Sequence, residues 1–524
     1  MPTILAALLA CPAIASTDAV AGASLARAPS AAADGFVDRI NAAFARVPSE
    51  RRSDLVILPV LAEMDAPPAI LQQRAGRAAL ILTSSPVWPA ASEWAAGDAQ
   101  QAALDALRRV TEETNPRRAM VFALPYGIGG VPRDLIRAGL HAELGDPPAL
   151  AGARLGYMPK ITDLRLLVSI ETTRLADQGR PRDAIDLNLS LAAFGRQFAD
   201  RAFGVEVLWA YSTMAAAFER IRDVAYVDGK AGRDLTADDL TEVVGGLDLD
   251  RGLFRPDRLV VPEGDRVAAL QMIDRVFGLD GRPDLSVFPT TLAEMAASGR
   301  PLRLFAEAGR WSQAAGPHAD ADATREAVNG VFADWMTRWN TDPFDRLQRS
   351  VPAYRQLDQD RFALVQQIVP DLSILIDARR GLRTELNGTR VALALQALTL
   401  ATGGRASSLA IVRPRYIDSL GDDPFNPDRA AGNTPELRYF VPERDTVGNQ
   451  RHRMNVVPVG GGGANFSTVL TRDDFVLYSV GPNESDDRAV NVSDSSESRI
   501  GDYLIWPPIT SLTREFLALT NASE

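Results

Sequence analysis

The sequence predicts a mainly α-helical fold of helical hairpins with a small C-terminal α+β module of antiparallel strands. Between residues 36 and 380, apolar residues recur at helical spacing, and stretches rich in Pro and Gly separate the periodic blocks. After residue 403 the pattern changes to short aromatic and β-branched runs, which are typical of strands. A solenoid of helical hairpins would fit the first part, although no pattern recurs at a fixed period of about 34 residues.

The composition excludes several classes of site. A formal net charge of -11 argues against a nucleic-acid partner, because phosphate recognition normally needs a basic face. The chain has one cysteine and three histidines, so neither a thiol metal cluster nor an internal disulfide framework can be built.

The first 15 residues resemble a signal peptide, followed by a linker at 16–35. Residues 4–15 are apolar and too short to span a bilayer, so no transmembrane span is expected in the mature chain. Cleavage after Ala15 would release a soluble protein, whereas a lipobox ending at Cys11 would leave a lipid anchor on that cysteine. Because no Lys or Arg precedes the apolar run, a wrongly placed start, or no signal at all, stays open. Export to the periplasm or cell envelope is the expectation.

The helical body, residues 36–380, contains clear amphipathic stripes. One stripe predicts a helix with a single buried face: Val207, Tyr211, Met214, Phe218 and Ile221. A second follows the break at Gly316-Pro317, where Asp320 or Asp322 can cap the helix: Val328, Phe332, Trp335 and Trp339. Residues 163–198 predict two helices separated by Gly179-Arg180-Pro181, with small residues at their close approach.

The C-terminal module, residues 381–524, begins with a helix expected over 384–401 and ending at Gly403. Residues 437–441, 475–480 and 503–506 predict three strands, the last ended by Pro507-Pro508. The span between the first two strands includes a run of four glycines and is expected to be a mobile loop.

Several motifs of this module occur in a recognisable order: D-P-F, L-R-Y, F-V-L-Y-S-V-G-P-N, D-D and G-D. The order resembles the C-terminal region of the major pseudopilins of type II secretion. The chain is still more similar to uncharacterised exported α-helical proteins of planctomycete-type bacteria, which share a hairpin like R-L-A-D-Q-G-R-P-R-D-A at 174–184. The resemblance implies a fold and export, but no activity. The first 33 residues lack a prepilin-peptidase site and an assembly helix, so incorporation into a fibre is not expected.

Major pseudopilins bind calcium in the loop after the L-Y-S-L-G strand, so the resemblance implies Ca²⁺ in the corresponding acidic stretch here. Carboxylate oxygens suit this ion in an exported protein. A solvated, serine-rich loop is the alternative interpretation. The expected ligands are Glu484, Asp486, Asp487, Asp494 and Asp502.

The other candidate residues are better explained by structural roles than by a binding or catalytic site. His318, Asp320, Asp322 and Glu326 have metal-ligating side chains, but one histidine is too few for zinc, and acids are common where a helix begins. No G-x-S-x-G, H-E-x-x-H or phosphate-loop signature occurs, so no catalytic or cofactor-binding residue is predicted. The tryptophans that could line a sugar site are expected in the core or at interfaces: Trp88, Trp94, Trp335 and Trp339.

Two functions remain. The first is an exported, non-enzymatic interaction or scaffold protein of the cell envelope, with an unidentified protein partner. The alternative is a carbohydrate-active hydrolase that uses paired carboxylates, because the chain holds 67 acidic residues whose separations the sequence cannot give.

Overall fold

The computed structural model describes residues 31–72, 82–232, 234–248, 252–296, 303–428, 435–458, 464–472, 474–494 and 500–521. It confirms a mainly α fold with a small C-terminal sheet. The expected signal peptide and most of the expected linker lie outside the described residues. No helix among those described is long and apolar enough to cross a membrane.

The described residues form the following α-helices in chain order: α1 (Ala31–Asn41), α2 (Asp54–Glu63), α3 (Ala69–Gln72), α4 (Trp88–Ala95), α5 (Asp98–Thr111), α6 (Arg133–Arg137), α7 (Met158–Asp177), α8 (Pro181–Phe198), α9 (Gly204–Ala231), α10 (Ala237–Gly246), α11 (Gly264–Val276), α12 (Phe288–Ala296), α13 (Leu304–Ala315), α14 (Ala321–Asn340), α15 (Arg346–Arg349), α16 (Ala353–Gln356), α17 (Ala363–Ile368), α18 (Ser373–Thr402) and α19 (Ile509–Asn521).

The predicted hairpin at 163–198 is formed by α7 and α8. Gly179 adopts a φ of 72° in the connection, a conformation that glycine tolerates best, and Pro181 opens the second helix where its missing N–H costs nothing. Across the pair, the Asn188 amide donates a hydrogen bond of 2.8 Å to the Thr172 hydroxyl. The prediction of this pair is confirmed.

Helix α9 lies at the centre of the body, between α8 and α18. Its predicted apolar stripe, from Val207 to Ile221, is buried throughout. The helix ends at Ala231, and the next residue, Gly232, has a left-handed conformation with a φ of 62° that terminates it. The second stripe, on α14, is also buried, and the Asp320 carboxylate caps that helix by accepting the Ala323 N–H at 2.8 Å.

The sheet of the C-terminal module has six strands. A separate pair near the N-terminal half consists of β1 (Ala142–Glu143) and β2 (Arg154–Leu155). The six strands are β3 (Arg438–Phe440), β4 (His452–Val457), β5 (Phe466–Leu470), β6 (Val476–Ser479), β7 (Asn491–Ser493) and β8 (Asp502–Trp506). Their order across the sheet is β3, β6, β8, β7, β4, β5.

Strands β3, β6 and β8 confirm the three predicted strands, and β8 ends before Pro507. The mobile loop expected between β3 and β6 is wrong in part, because β4 and β5 form a hairpin there. Met454 and Val456 alternate with exposed Arg453 and Asn455, a half-buried pattern too short and polar to stand out in the sequence. The four glycines lie outside the described residues. The sheet is mixed, since β7 pairs in parallel with both β4 and β8.

Both faces of the sheet are covered. Leu477 and Ile505 face the core of the helical body, while Val476 and Leu504 pack with Leu512 of α19 in a second core. Burial on both faces explains why β6 and β8 are continuous apolar and aromatic runs in the sequence.

Helix α18 begins at Ser373, eleven residues before the expected start at 384, and runs across the expected boundary at 380/381. It contacts α9 and α10 on the body side and β6 and β8 on the sheet side. At Gly388 the approach is so close that an added Cβ would lie 2.7 Å from two atoms of Ile505. The helix therefore belongs to the body and the module at once.

Buried ion pairs also join the helical body to the C-terminal module. Arg222 of α9 contacts the Glu385 carboxylate of α18 at 2.5 Å, and that carboxylate also accepts the Tyr503 hydroxyl of β8 at 2.5 Å. Asp223 of α9 accepts two hydrogen bonds of 2.6 Å from Arg514 of α19. Buried charges of this kind need partners to be tolerated, so these contacts fix how the module lies on the body.

Candidate functional site

A cleft of about 870 Å³ opens on the N-terminal part of the body. Two segments that are far apart in the sequence form it: residues 37–52, which include the end of α1, and residues 125–148, which include β1. Pockets of this size are common small-molecule or peptide sites. The cleft is the candidate functional site of the described chain.

Asn41, the last residue of α1, holds the two segments together. Its side-chain amide donates to the Tyr126 carbonyl at 2.9 Å, and its side-chain carbonyl accepts the Tyr126 N–H at 2.8 Å. Tyr126 begins the turn Y-G-I-G-G, in which Gly127 has a φ of 91° and donates its N–H to the Ala142 carbonyl of β1 at 3.0 Å. One side of the cleft is thus a glycine-rich turn with little side chain, fixed at both ends.

The floor of the cleft includes Phe44 and Tyr126, whose ring centroids are 5.9 Å apart. The Tyr126 hydroxyl is buried and donates to the Glu206 carboxylate at 2.5 Å. The Tyr157 hydroxyl donates to the other oxygen of that carboxylate, also at 2.5 Å. Burial, together with the negative charge of Glu206, raises the pKa of both phenols well above the usual range, so both remain protonated donors.

Arg201 completes this buried network. Its guanidinium donates to the Glu206 carboxylate at 2.7 Å and to the Leu124 carbonyl at 2.6 Å, and it lies 4.3 Å from the centre of the Tyr126 ring. The side chains of Arg201 and Glu206 both have 0% exposure. Because the charge pair is fully buried, it cannot contact a ligand in the cleft. Its contacts with Tyr126 fix the position of that ring in the floor of the cleft.

The charged side chains that do line the cleft are mostly acidic. Asp38 comes from α1, while Glu143 and Asp146 come from the opposite segment, and all three are exposed. Arg52 also lines the cleft, but its guanidinium pairs with the buried Asp54 carboxylate at 2.5 Å. The charge that a ligand would meet is therefore negative.

The structure divides the predicted calcium ligands among different neighbours. Asp486 and Asp487 lie in the loop between β6 and β7, and Asp502 begins β8. The Asp502 carboxylate accepts the Asp487 N–H at 3.2 Å, and burial, with the charges of both neighbouring aspartates, raises its pKa to about 7. Glu484 instead pairs with Arg349 of the body at 3.2 Å. Asp494 lies near Glu219 of α9, where burial and the charge of Asp494 raise the pKa of Glu219.

The carboxylates of Asp486 and Asp502 also accept other hydrogen bonds. The Asp486 carboxylate accepts the Tyr478 hydroxyl at 2.9 Å, and the second oxygen of Asp502 accepts the Ala489 N–H at 2.6 Å. Across the part of the chain that the structure describes, no three His, Cys, Asp or Glu side chains are grouped so that they could hold a metal ion. Calcium in this loop stays a prediction.

The D-P-F motif meets the L-Y-S-V-G strand directly. One oxygen of the fully buried Asp423 carboxylate accepts the Ser479 hydroxyl at 2.7 Å and the Phe425 N–H at 3.0 Å, and the other accepts the Val480 N–H at 3.2 Å. The two motifs, more than fifty residues apart, therefore form one structural joint. Burial raises the pKa of Asp423 from its ordinary value.

The remaining candidate residues have structural roles. Neutral His318 is buried: its Nδ1–H donates to the Ala319 carbonyl at 2.8 Å, and its Nε2 accepts the Leu364 N–H at 3.3 Å. Three of the four suspect tryptophans are buried, as expected: Trp94, Trp335 and Trp339. Trp88 is half-buried and packs against the core.

The sequence did not reveal the cleft, although the turn Y-G-I-G-G is visible in it. That turn lacks the lysine and the helix that follow a phosphate loop. Asn41, whose side chain binds Tyr126 at the start of the turn, is 85 residues away in the sequence. Comparison of the chain with protein-family models, with curated proteins and with solved structures gave no match.

Proposed function

We propose that the protein is a non-enzymatic interaction or scaffold protein, exported to the cell envelope, that holds a segment of a partner protein in the cleft. One observation carries the proposal: the polar network around Glu206 is fully buried, and the cleft is lined mainly by apolar residues, glycines and exposed acids. The Glu206 carboxylate is enclosed by Tyr126, Tyr157 and Arg201.

Catalysis by a general acid or base requires that the group reach the ligand, directly or through one water. The enclosed Glu206 does not meet that requirement. Binding requires only a shaped surface that stays in place without its ligand, because a preformed surface loses little entropy when the partner docks. The hydrogen bonds of Asn41 and the network beneath Tyr126 supply that rigidity. Export rests on the apolar run at residues 4–15.

Site-specific photocrosslinking tests the proposal in native cells. Ile128 is 65% exposed at the cleft, so a benzophenone amino acid placed there should yield a discrete crosslinked product in the envelope fraction. The change Gly129→Trp should remove the product by filling the cleft. Gly129 has open space around its Cβ position and no positive φ, so folding should be unaffected.

Gly245→Trp is the matched control, because Gly245 is also exposed and unstrained but does not line the cleft. It should leave the crosslinked product unchanged. The proposal fails if position 128 gives no product, if Gly129→Trp and Gly245→Trp behave alike, or if the protein is found only in the cytoplasm.

A carbohydrate-active hydrolase is the second candidate, because the cleft has acids on both sides. Asp38 lies opposite the segment that carries Glu143 and Asp146. Glycosidases use two carboxyl groups about 5–10 Å apart. Release of reducing ends from a polysaccharide panel, abolished by Asp38→Asn or Glu143→Gln, would establish this function in place of the first.

Calcium binding by the acidic loop is tested by thermal unfolding of the mature chain in millimolar CaCl₂ and in EDTA. A site in the folded loop would raise the melting temperature by several degrees, because a ligand that binds only the folded state stabilises it. The double change Asp486→Asn/Asp487→Asn should then abolish the rise. The same melting temperature in both buffers would identify the solvated loop as the correct interpretation.

A further inference from the structure

The cleft combines negative charge with apolar walls. Asp38 and Asp146 are exposed acids on opposite segments, and Val37, Phe44 and Leu144 supply apolar surface between them. A ligand that fits both features carries a positive charge on an apolar stem.

The basic residue in the lining does not cancel this charge. Arg52 is committed to Asp54, whose side chain has 0% exposure, and only 15% of the Arg52 side chain is exposed. Glu143 approaches Arg154 at 3.9 Å, but both side chains are more than half exposed, so that pair contributes little. The attraction for a cation therefore comes from three acids, with a neutralised arginine beside them.

One further feature concerns the shape of the ligand. The glycine-rich turn leaves the backbone of Gly129 open, so another extended chain can approach closely.

From these features we infer that the cleft binds an extended peptide segment through one arginine or lysine side chain, its methylenes on Phe44 and Leu144 and its charge between Asp38 and Asp146. Long basic side chains bury their stems on apolar surface and keep the charged end near water or acids. This inference rests on the proposed function and names the chemistry of the partner. It excludes an acidic partner segment.

A fluorescent peptide of sequence Gly-Ser-Leu-Arg-Leu-Ser-Gly is the probe, and anisotropy with the mature chain measures its binding. The same peptide with glutamate in place of arginine should bind at least about tenfold more weakly, because it places like charges together. The double change Asp38→Asn/Asp146→Asn should weaken the arginine peptide by about tenfold. Raising the salt concentration should weaken it as well, because the acids are exposed and screened.

Asp105→Asn/Asp322→Asn is the matched control, since it removes the same charge from exposed helix positions outside the cleft. It should leave the affinity for the arginine peptide unchanged. Equal affinities for the arginine and glutamate peptides, equal losses in both double variants, or no saturable binding would overturn the inference. Crosslinking from position 128 would remain positive if only the ligand chemistry is wrong and would vanish if the proposed function is also wrong.

Discussion

Replacing Glu206 with alanine is expected to lower the free energy of unfolding by about 3–5 kcal/mol, because the change leaves a buried arginine without its counter-ion. Arg201 would keep only neutral partners, and the hydroxyls of Tyr126 and Tyr157 would lose their acceptor. Urea unfolding followed by tryptophan fluorescence measures the loss. Glu242→Ala is the control: Glu242 is 72% exposed, and its pair with Arg182 should contribute less than about 1 kcal/mol.

Removal of both charges separates the ion pair from the packing. The double change Arg201→Leu/Glu206→Leu should cost clearly less than the sum of the two single changes, because no charge is then stranded. Strictly additive losses would mean that the pair does not hold the floor of the cleft. A loss from Glu206→Ala no larger than that from Glu242→Ala would contradict the burial of the network.

Asp423→Ala is expected to lower the free energy of unfolding by about 2–4 kcal/mol at pH 8, because three buried donors lose their acceptor. These donors are the Ser479 hydroxyl and the backbone N–H groups of Phe425 and Val480. Asp423→Asn keeps one side-chain oxygen and should show a smaller loss. Hydrogen exchange should detect faster exchange at Val480 before any change in the helical body.

The control for Asp423 is Asp428→Ala, which removes an exposed acid from the same segment. Asp428 reaches Arg438 at 3.4 Å with 61% of its side chain exposed, so its loss should fall within experimental scatter. If Asp423→Ala were no more destabilising than Asp428→Ala, the D-P-F motif would not be the joint that the structure places there.

Much of the fold could be predicted because a buried face requires apolar residues at a regular spacing in the sequence. The stripe from Val207 to Ile221 identifies α9, and burial on both faces makes β6 and β8 conspicuous. Strands β4 and β5 were not predicted because one face of each carries polar residues, as at Arg453 and Asn455. The start of α18 at Ser373 was not predicted because the first turns of the helix carry several charges and are only partly buried.

The candidate site was less predictable because it depends on contacts between distant segments. Asp38 and Asp146 are unremarkable acids until α1 and the segment after β1 are seen on opposite sides of one cleft. Nothing in the local sequence of Asn41 predicts that it binds both backbone groups of Tyr126. The acids at 484–502 attracted attention because they are adjacent in sequence, yet folding gives Glu484 and Asp494 separate neighbours.

Helix α18 limits how the chain can be divided. A fragment ending at residue 380 would lack most of the helix on which α9 and α10 pack, and a fragment beginning at 381 would leave the same apolar side bare. The ion pair from Arg222 to Glu385 would be cut as well. The C-terminal sheet is therefore not a modular appendage: transplanting it onto another protein would require α18 and a matching surface to receive it.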